Sequence, residues 1–331
     1  MKKFFNAHDN IISEMLTGFL EAFGKDYRKT PNYNGIVWKH SSERVTIVTG
    51  GGSGGEPWCI GACGEGMADA VAVGNVFAAP AATIIDALCR EVYHEKGILL
   101  ITGNHTGDRL NFELGRELFL LENKCDCRLV LVSDEMTSAP ASERACRRSL
   151  TGMQLVIYAA SAASNSGLNI DEVERIAIKA NRHISSISAT LELSSNPITG
   201  KSMGNIAKDE AHIGMGVTGE PGIEKVKYTG EHALTIRLIE YLCADLNLGE
   251  GDEVLLQVSG FGGVSPLESL IVTGSALEAL KQRGINVFSV DLCDKVKIQT
   301  TCSVAISLMK LDDELKQFIG SRAISPIMYK Y

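Results

Sequence analysis

Apolar residues follow two rhythms along this chain. Ile11, Ile12, Met15, Leu16, Phe19 and Phe23 recur at three- and four-residue spacing. That spacing predicts an amphipathic helix, capped by Asp9 or Asn10 and ended by Gly24. Short runs that are apolar throughout follow: VTIV just ahead of Gly50, ILLIT at 98–102 and RLVLVS at 128–133. Between them, TIIDALCREVYHEK (83–96) and LNFELGRELFLLEN (110–123) have helical spacing. Strands apolar on both faces, alternating with helices, predict a mostly parallel sheet covered by helices.

The alternation resumes with a helical run at 171–184. Strands are expected around 185–193, at 253–258, around 287–291 and at 303–309, with helices at 232–246 and 266–283. The expected fold class is therefore α/β in two domains, 1–184 and 185–331, since 331 residues exceed one ordinary core.

Composition narrows the function classes. A hydrophobic fraction of 45% with 22% charged residues is that of a soluble globular protein. A net charge of -8 leaves no broad basic surface, so direct nucleic-acid binding is not expected. No apolar run approaches the length of a membrane span, and the segment MKKFFNAHDNIISE lacks the apolar core of a signal peptide. Nine scattered cysteines fit neither a disulfide framework nor a zinc site; Cys59 and Cys63 come nearest to a ligand pair, with nothing nearby to complete it. Buried free thiols in a reducing cytoplasm, and no metal site, are the expectation.

In open α/β sheets, ligands sit beyond the carboxyl ends of strands. Candidate chemistry therefore lies in the loops 50–55, 104–108 and 134–138. Gly50, Gly52 and Gly55 satisfy the G-x-G-x-x-G pattern of dinucleotide sites. That pattern needs a helix at its last glycine, and Gly61, Gly64 and Gly66 oppose one. A phosphate-cradling P-loop is excluded, because no Lys-Ser/Thr follows. A glycine turn needed only for backbone geometry is one reading. A row of main-chain N–H groups that binds hydroxyls or phosphate is the other. In the second loop Asp108 suits a general base for a substrate hydroxyl, or a cap on a helix starting at Leu110. A third stretch, 212–225, sets Gly214, Gly216, Gly219 and Gly222 around Thr218, as a binding element or as a turn joining the domains.

The stretches GGGSGGEP, NHTGDRLNF and GMGVTGEPG, in that order, resemble three motifs of the substrate-binding subunit of the dihydroxyacetone kinases. CRRS (146–149), GFGGVSPLESL (260–270) and MKLDDEL (309–315) extend the resemblance over nearly the whole chain. It implies two α/β domains with the substrate between them, in a cytoplasmic homodimer. It also implies that this chain binds no cofactor: Mg-ADP or Mg-ATP belongs to a separate partner subunit, recharged in some bacteria by a phosphotransferase system. The length leaves no room for the nucleotide domain of single-chain relatives.

The sequence departs from the family at the reactive positions. The histidine that forms a hemiaminal with dihydroxyacetone is replaced by Thr218, a poor nucleophile without an activating base. A second histidine is Gly55, and a lysine is Gly103. The resemblance leaves Asp108 as catalytic base, with Gly51, Gly52, Ser53, Gly103 and Thr218 toward substrate. His105, which stands for a tyrosine, and His212 are candidates to return an imidazole to the cleft. Two function classes follow. One is a kinase subunit that holds a small polyhydroxy substrate non-covalently for a nucleotide-bearing partner. The other is a non-catalytic paralogue that senses a triose or polyol and acts through a transcription regulator.

Overall fold

The first helix, α1 (Ile11–Phe23), forms where the apolar spacing puts it and buries Ile12, Leu16 and Phe19. Asn10 stands at its N-cap without a side-chain cap bond, and Gly24 ends it. This computed structural model describes residues 4–193, 195–196, 198–217, 219–292, 294–298 and 301–330.

The first sheet contains β1 (Tyr27–Lys29), β2 (Gly35–Trp38), β3 (Thr46–Ser53), β4 (Ala70–Val76), β5 (Ile98–Gly103) and β6 (Cys127–Val132). Their spatial order is β1-β2-β4-β3-β5-β6. Strands β4, β3, β5 and β6 run parallel, while β1 and β2 join antiparallel at one edge. Helices α2 (Ala82–Val92) and α3 (Thr106–Glu122) cover one face, burying Ile85, Leu88, Phe112 and Phe119. Thr106 starts α3 earlier than the expected Leu110, so the whole Thr-Gly-Asp segment is helical.

The opposite face packs on α4 (Met153–Asn165) and α5 (Ile170–His183). The sequence shows no helical stripe at α4 because every residue from Met153 to Ser164 is buried. A helix enclosed on all sides has no polar face to mark its period.

The second sheet contains β7 (Ile184–Glu192), β8 (Glu210–Ile213), β9 (Glu224–Lys227), β10 (Glu253–Gly260), β11 (Asn286–Leu292) and β12 (Cys302–Lys310). Its order is β11-β10-β12-β7-β8-β9. Here the parallel expectation holds for β10 and β11 alone; the other described pairings are antiparallel. The reason is topological: β12 returns to lie between β10 and β7, and β8 and β9 pair antiparallel at the edge. Strands covered by helices on both faces are apolar throughout whichever way they run, so pattern alone gives no direction.

Helices α6 (Glu231–Asp245) and α7 (Pro266–Gln282) cover the outer face of this sheet. Helix α8 (Asp313–Ile319) packs on α4, and β13 (Ala323–Ile324) pairs with β14 (Tyr329–Lys330). The chain changes sheets at β7, yet one apolar cluster joins Leu16, Val71, Ile101 and Ile157 to Leu255, Ala305, Met309 and Phe318. The result is five layers: α2 and α3, the first sheet, α4 with α5 and α8, the second sheet, and α6 with α7. The described cysteines are all free, most of them buried, with Cys146 exposed. No described helix is long and apolar enough to cross a membrane.

Candidate functional site

β3 runs on through its glycines to Ser53. Crowding explains why side chains are missing there. A Cβ on Gly50 would lie 2.4 Å from the Ala72 carbonyl oxygen, and one on Gly51 would lie 2.9 Å from Nε1 of Trp58. The Ser53 hydroxyl donates its proton to the Gly74 carbonyl, so its side chain can meet a ligand only as an acceptor. Past the strand, the Gly54 N–H donates to the Glu56 carboxylate. One short turn of 3-10 helix follows at Ile60–Ala62, and no helix starts at Gly55. The geometry of a dinucleotide site is therefore not built here.

The glycine loop, the first turn of α3, the segment 149–153 and Val296 enclose a cavity of about 260 Å³. Gly51, Gly52, Ser53, Gly103, His105 and Asp108 all line it. His212 does not; it lies on β8 opposite Thr190 and Lys225, with Nε2 3.7 Å from the Glu210 carboxylate. Thr218 lies outside the described residues, and its neighbour Val217 lines the cavity.

Asp108 sits within the first turn of α3 and is not its cap; His105 holds the N-cap position, without a side-chain cap bond. A helix N-terminus favours a carboxylate. Desolvation opposes it and wins: Oδ1 is buried without a partner, and burial pushes the carboxyl up to about 7. His105 is held 3.0 Å from the Ser149 carbonyl through Nε2. A carbonyl can only accept, so Nε2 carries the proton. Burial lowers the imidazole's pKa, and Arg148 adds to this against the opposing Glu220 charge. The ring is therefore neutral, with a bare lone pair on Nδ1.

Two supports of this site are invisible in the linear pattern. Asp134 is fully buried and accepts from the Ser149 hydroxyl and the N–H groups of Leu150 and Gly152, which fixes the carbonyl that anchors His105. The loop after β11 supplies the far wall. The Lys297 N–H donates to the Gly55 carbonyl and the Trp58 N–H to the Lys295 carbonyl, each at 3.0 Å. This lacing sets Val296 against the cavity, its Cγ1 3.0 Å from where a Cβ on Gly55 would stand. Lys295 is buried, pairs with Asp291 at 3.0 Å and donates to the Tyr329 carbonyl. Sequence reasoning had no signal for a contact between residues so far apart. Among the described residues, no three His, Cys, Asp or Glu side chains gather as metal ligands.

Residues 17–327 match the Dak1 domain. The dihydroxyacetone-binding subunit of a PTS-dependent dihydroxyacetone kinase from Listeria innocua is 33% identical over 330 residues, covering 98% of each chain. An L-erythrulose kinase from Pectobacterium atrosepticum is 30% identical over 336 residues; all of this chain is covered, but it spans only 56% of that relative's length. Among solved structures, a dihydroxyacetone kinase operon co-activator superposes with a TM-score of 0.85 at 26% identity, covering 92% of this chain and 93% of the other.

Proposed function

This chain belongs to the Dak1 domain family, and from that premise we propose that it is the substrate-binding subunit of a dihydroxyacetone kinase-like phosphotransferase. It holds a small polyhydroxy compound without a covalent bond while a partner subunit supplies the phosphoryl group from Mg-ATP, or from Mg-ADP once a phosphotransferase system has recharged it to Mg-ATP. The observation that carries the reading is Asp108, a cavity-lining carboxyl raised to about 7 by desolvation. A base works best when its pKa lies near the working pH.

In the reaction, the substrate hydroxyl oxygen attacks the terminal phosphorus of the partner's nucleotide. Its proton passes to the Asp108 carboxylate as the bond to the leaving nucleotide breaks. The partner's Mg²⁺ neutralises the phosphoryl oxygens. Gly51, Gly52 and Gly103, lacking side chains, let the substrate approach the main chain. The bare Nδ1 of His105 accepts a second hydroxyl. With Thr218 and Gly55 at the positions of the two family histidines, no adduct anchors the ligand. The same reading makes the protein a cytoplasmic homodimer.

One observation favours a second reading, a ligand sensor acting through a transcription regulator: the fold likeness to the co-activator. The test mixes the protein with a nucleotide-loaded partner subunit and a panel of trioses, tetruloses and polyols. Phosphorylation of a panel member supports the kinase subunit. Binding of one without phosphorylation of any supports the sensor.

A further inference from the structure

The side chains of the cavity offer many acceptors and few donors. Asp108 Oδ1 is buried without a partner, and the bare Nδ1 of His105 can only accept. The lining hydroxyls have placed their protons elsewhere. Ser53 donates to the Gly74 carbonyl, Thr102 to the Gly50 carbonyl and Ser149 to the Asp134 carboxylate, so each meets a ligand as an acceptor. The Nε2–H of His105 is taken by the Ser149 carbonyl, and no Lys or Arg stands among the described lining residues. Trp58 is the exception: it lines the cavity, and its Nε1–H has no described acceptor. Once Asp108 is ionised, this indole is the side-chain donor that the described wall keeps for a ligand.

The position of the indole is fixed by its own backbone. The Trp58 N–H donates to the Lys295 carbonyl at 3.0 Å, and Trp58 pairs with Gly55 in a short bridge. Lys295 is in turn buried and held by Asp291 and the Tyr329 carbonyl. The ring edge that carries the N–H then lies over Gly51: Nε1, Cζ2 and Cε2 stand 2.9, 3.0 and 3.2 Å from where a Cβ would be. Any side chain at position 51 would push this edge away.

A ligand hydroxyl can turn to donate or to accept, so the acceptors of this wall suit it. A carbonyl oxygen can only accept, and burying it among acceptors without a donor opposes binding. We infer that Trp58 is a specificity-determining residue of the cavity, its indole N–H donating to the carbonyl oxygen of a non-covalently held ketose while the ligand's hydroxyls turn to Asp108 and His105. This rests on the reading of the cavity as a polyhydroxy-compound site and adds the group that recognises the carbonyl.

The chain has two tryptophans, Trp38 and Trp58. Magnetic resonance of protein with labelled indole nitrogens therefore shows two indole N–H signals, and Trp58→Phe identifies one by its loss. Titration at about pH 8 with dihydroxyacetone and glycerol, and with erythrulose and erythritol, compares pairs that differ only at the carbonyl carbon. The ketoses are expected to move the Trp58 signal downfield and to leave that of Trp38, on β2, in place. In calorimetric titrations Trp58→Phe, which keeps a ring without the N–H, is expected to weaken ketose binding roughly five- to tenfold more than polyol binding, the scale of one hydrogen bond. Its melting temperature reports its folding, and the wild-type signal decides if it does not fold. Ketose binding that leaves the Trp58 signal unmoved overturns the inference and leaves the polyhydroxy site standing. So does a folded Trp58→Phe protein in which both members of a pair weaken equally, or binding of the polyols alone. Binding of no compound of either pair overturns both.

Discussion

Asp108 carries a thermodynamic cost that can be measured without a substrate. Its folded pKa of about 7 lies above the ordinary carboxylate value of 3.8, so between those values the folded state holds a proton that the unfolded state has released. Stability therefore falls as pH rises through this window and levels off above about 7, by up to ~4 kcal/mol for a shift of this size. Asp108→Asn removes the titration. The variant is expected to melt above the wild type at pH 8, with the gain shrinking toward pH 5; a gain independent of pH contradicts the burial argument. Gly51 is a second test at this scale. Ala there puts a Cβ 2.9–3.0 Å from the Trp58 ring, so overpacking is expected to cost about 1–3 kcal/mol by urea titration and to weaken ligand binding. Gly51 and Asp108 were legible in the sequence because strand, glycine and helix start are neighbours along the chain, and Gly103 and His105 were singled out through the family resemblance. Trp58 and Val296 were not: they look like ordinary apolar residues, and only tertiary lacing brings them to the cavity.

At the scale of elements, legibility followed solvent contact. Helices α1, α2, α5 and α6 each keep a polar face and formed close to the expected residues. Helix α4 went unread because it is enclosed, and β8 and β9 because four-residue strands carry too little alternation. Helix α7 is marked by local chemistry. The Ser265 side chain accepts from the Glu268 N–H while the Glu268 carboxylate accepts from the Ser265 N–H, and Pro266 opens the helix. This capping box predicts that Ser265→Ala lowers stability by about 1 kcal/mol, read as a shifted urea midpoint with an unchanged slope.

Across the whole molecule, the two sheets do not make two independent cores. The apolar cluster spans both, and the buried Arg147 guanidinium grips the Asp245 carboxylate of α6 through two bonds of 2.8 and 2.6 Å. That pairing, with the Ser185 hydroxyl, outweighs burial and holds Asp245 below the usual carboxylate range. The strand–helix pattern restarts near residue 184, and the apolar cluster shared by the two halves depends on contacts that no local pattern encodes. Scanning calorimetry is expected to show a single transition with equal calorimetric and van't Hoff enthalpies. Two resolved transitions would mean that the halves unfold separately.

The proposed phosphoryl transfer would depend on the same joint, since the cavity lies where the first-half loops meet Val296. Its most direct test is the pH dependence of phosphoryl transfer by the protein and its nucleotide-loaded partner, run beside Asp108→Asn. The kcat/KM of the wild type should rise with pH through about 7 and then level off, and Asp108→Asn should lose about 10²–10⁴-fold in rate while still binding the ligand. A rate that ignores pH across this range, or an Asp108→Asn protein as active as the wild type, would contradict the account.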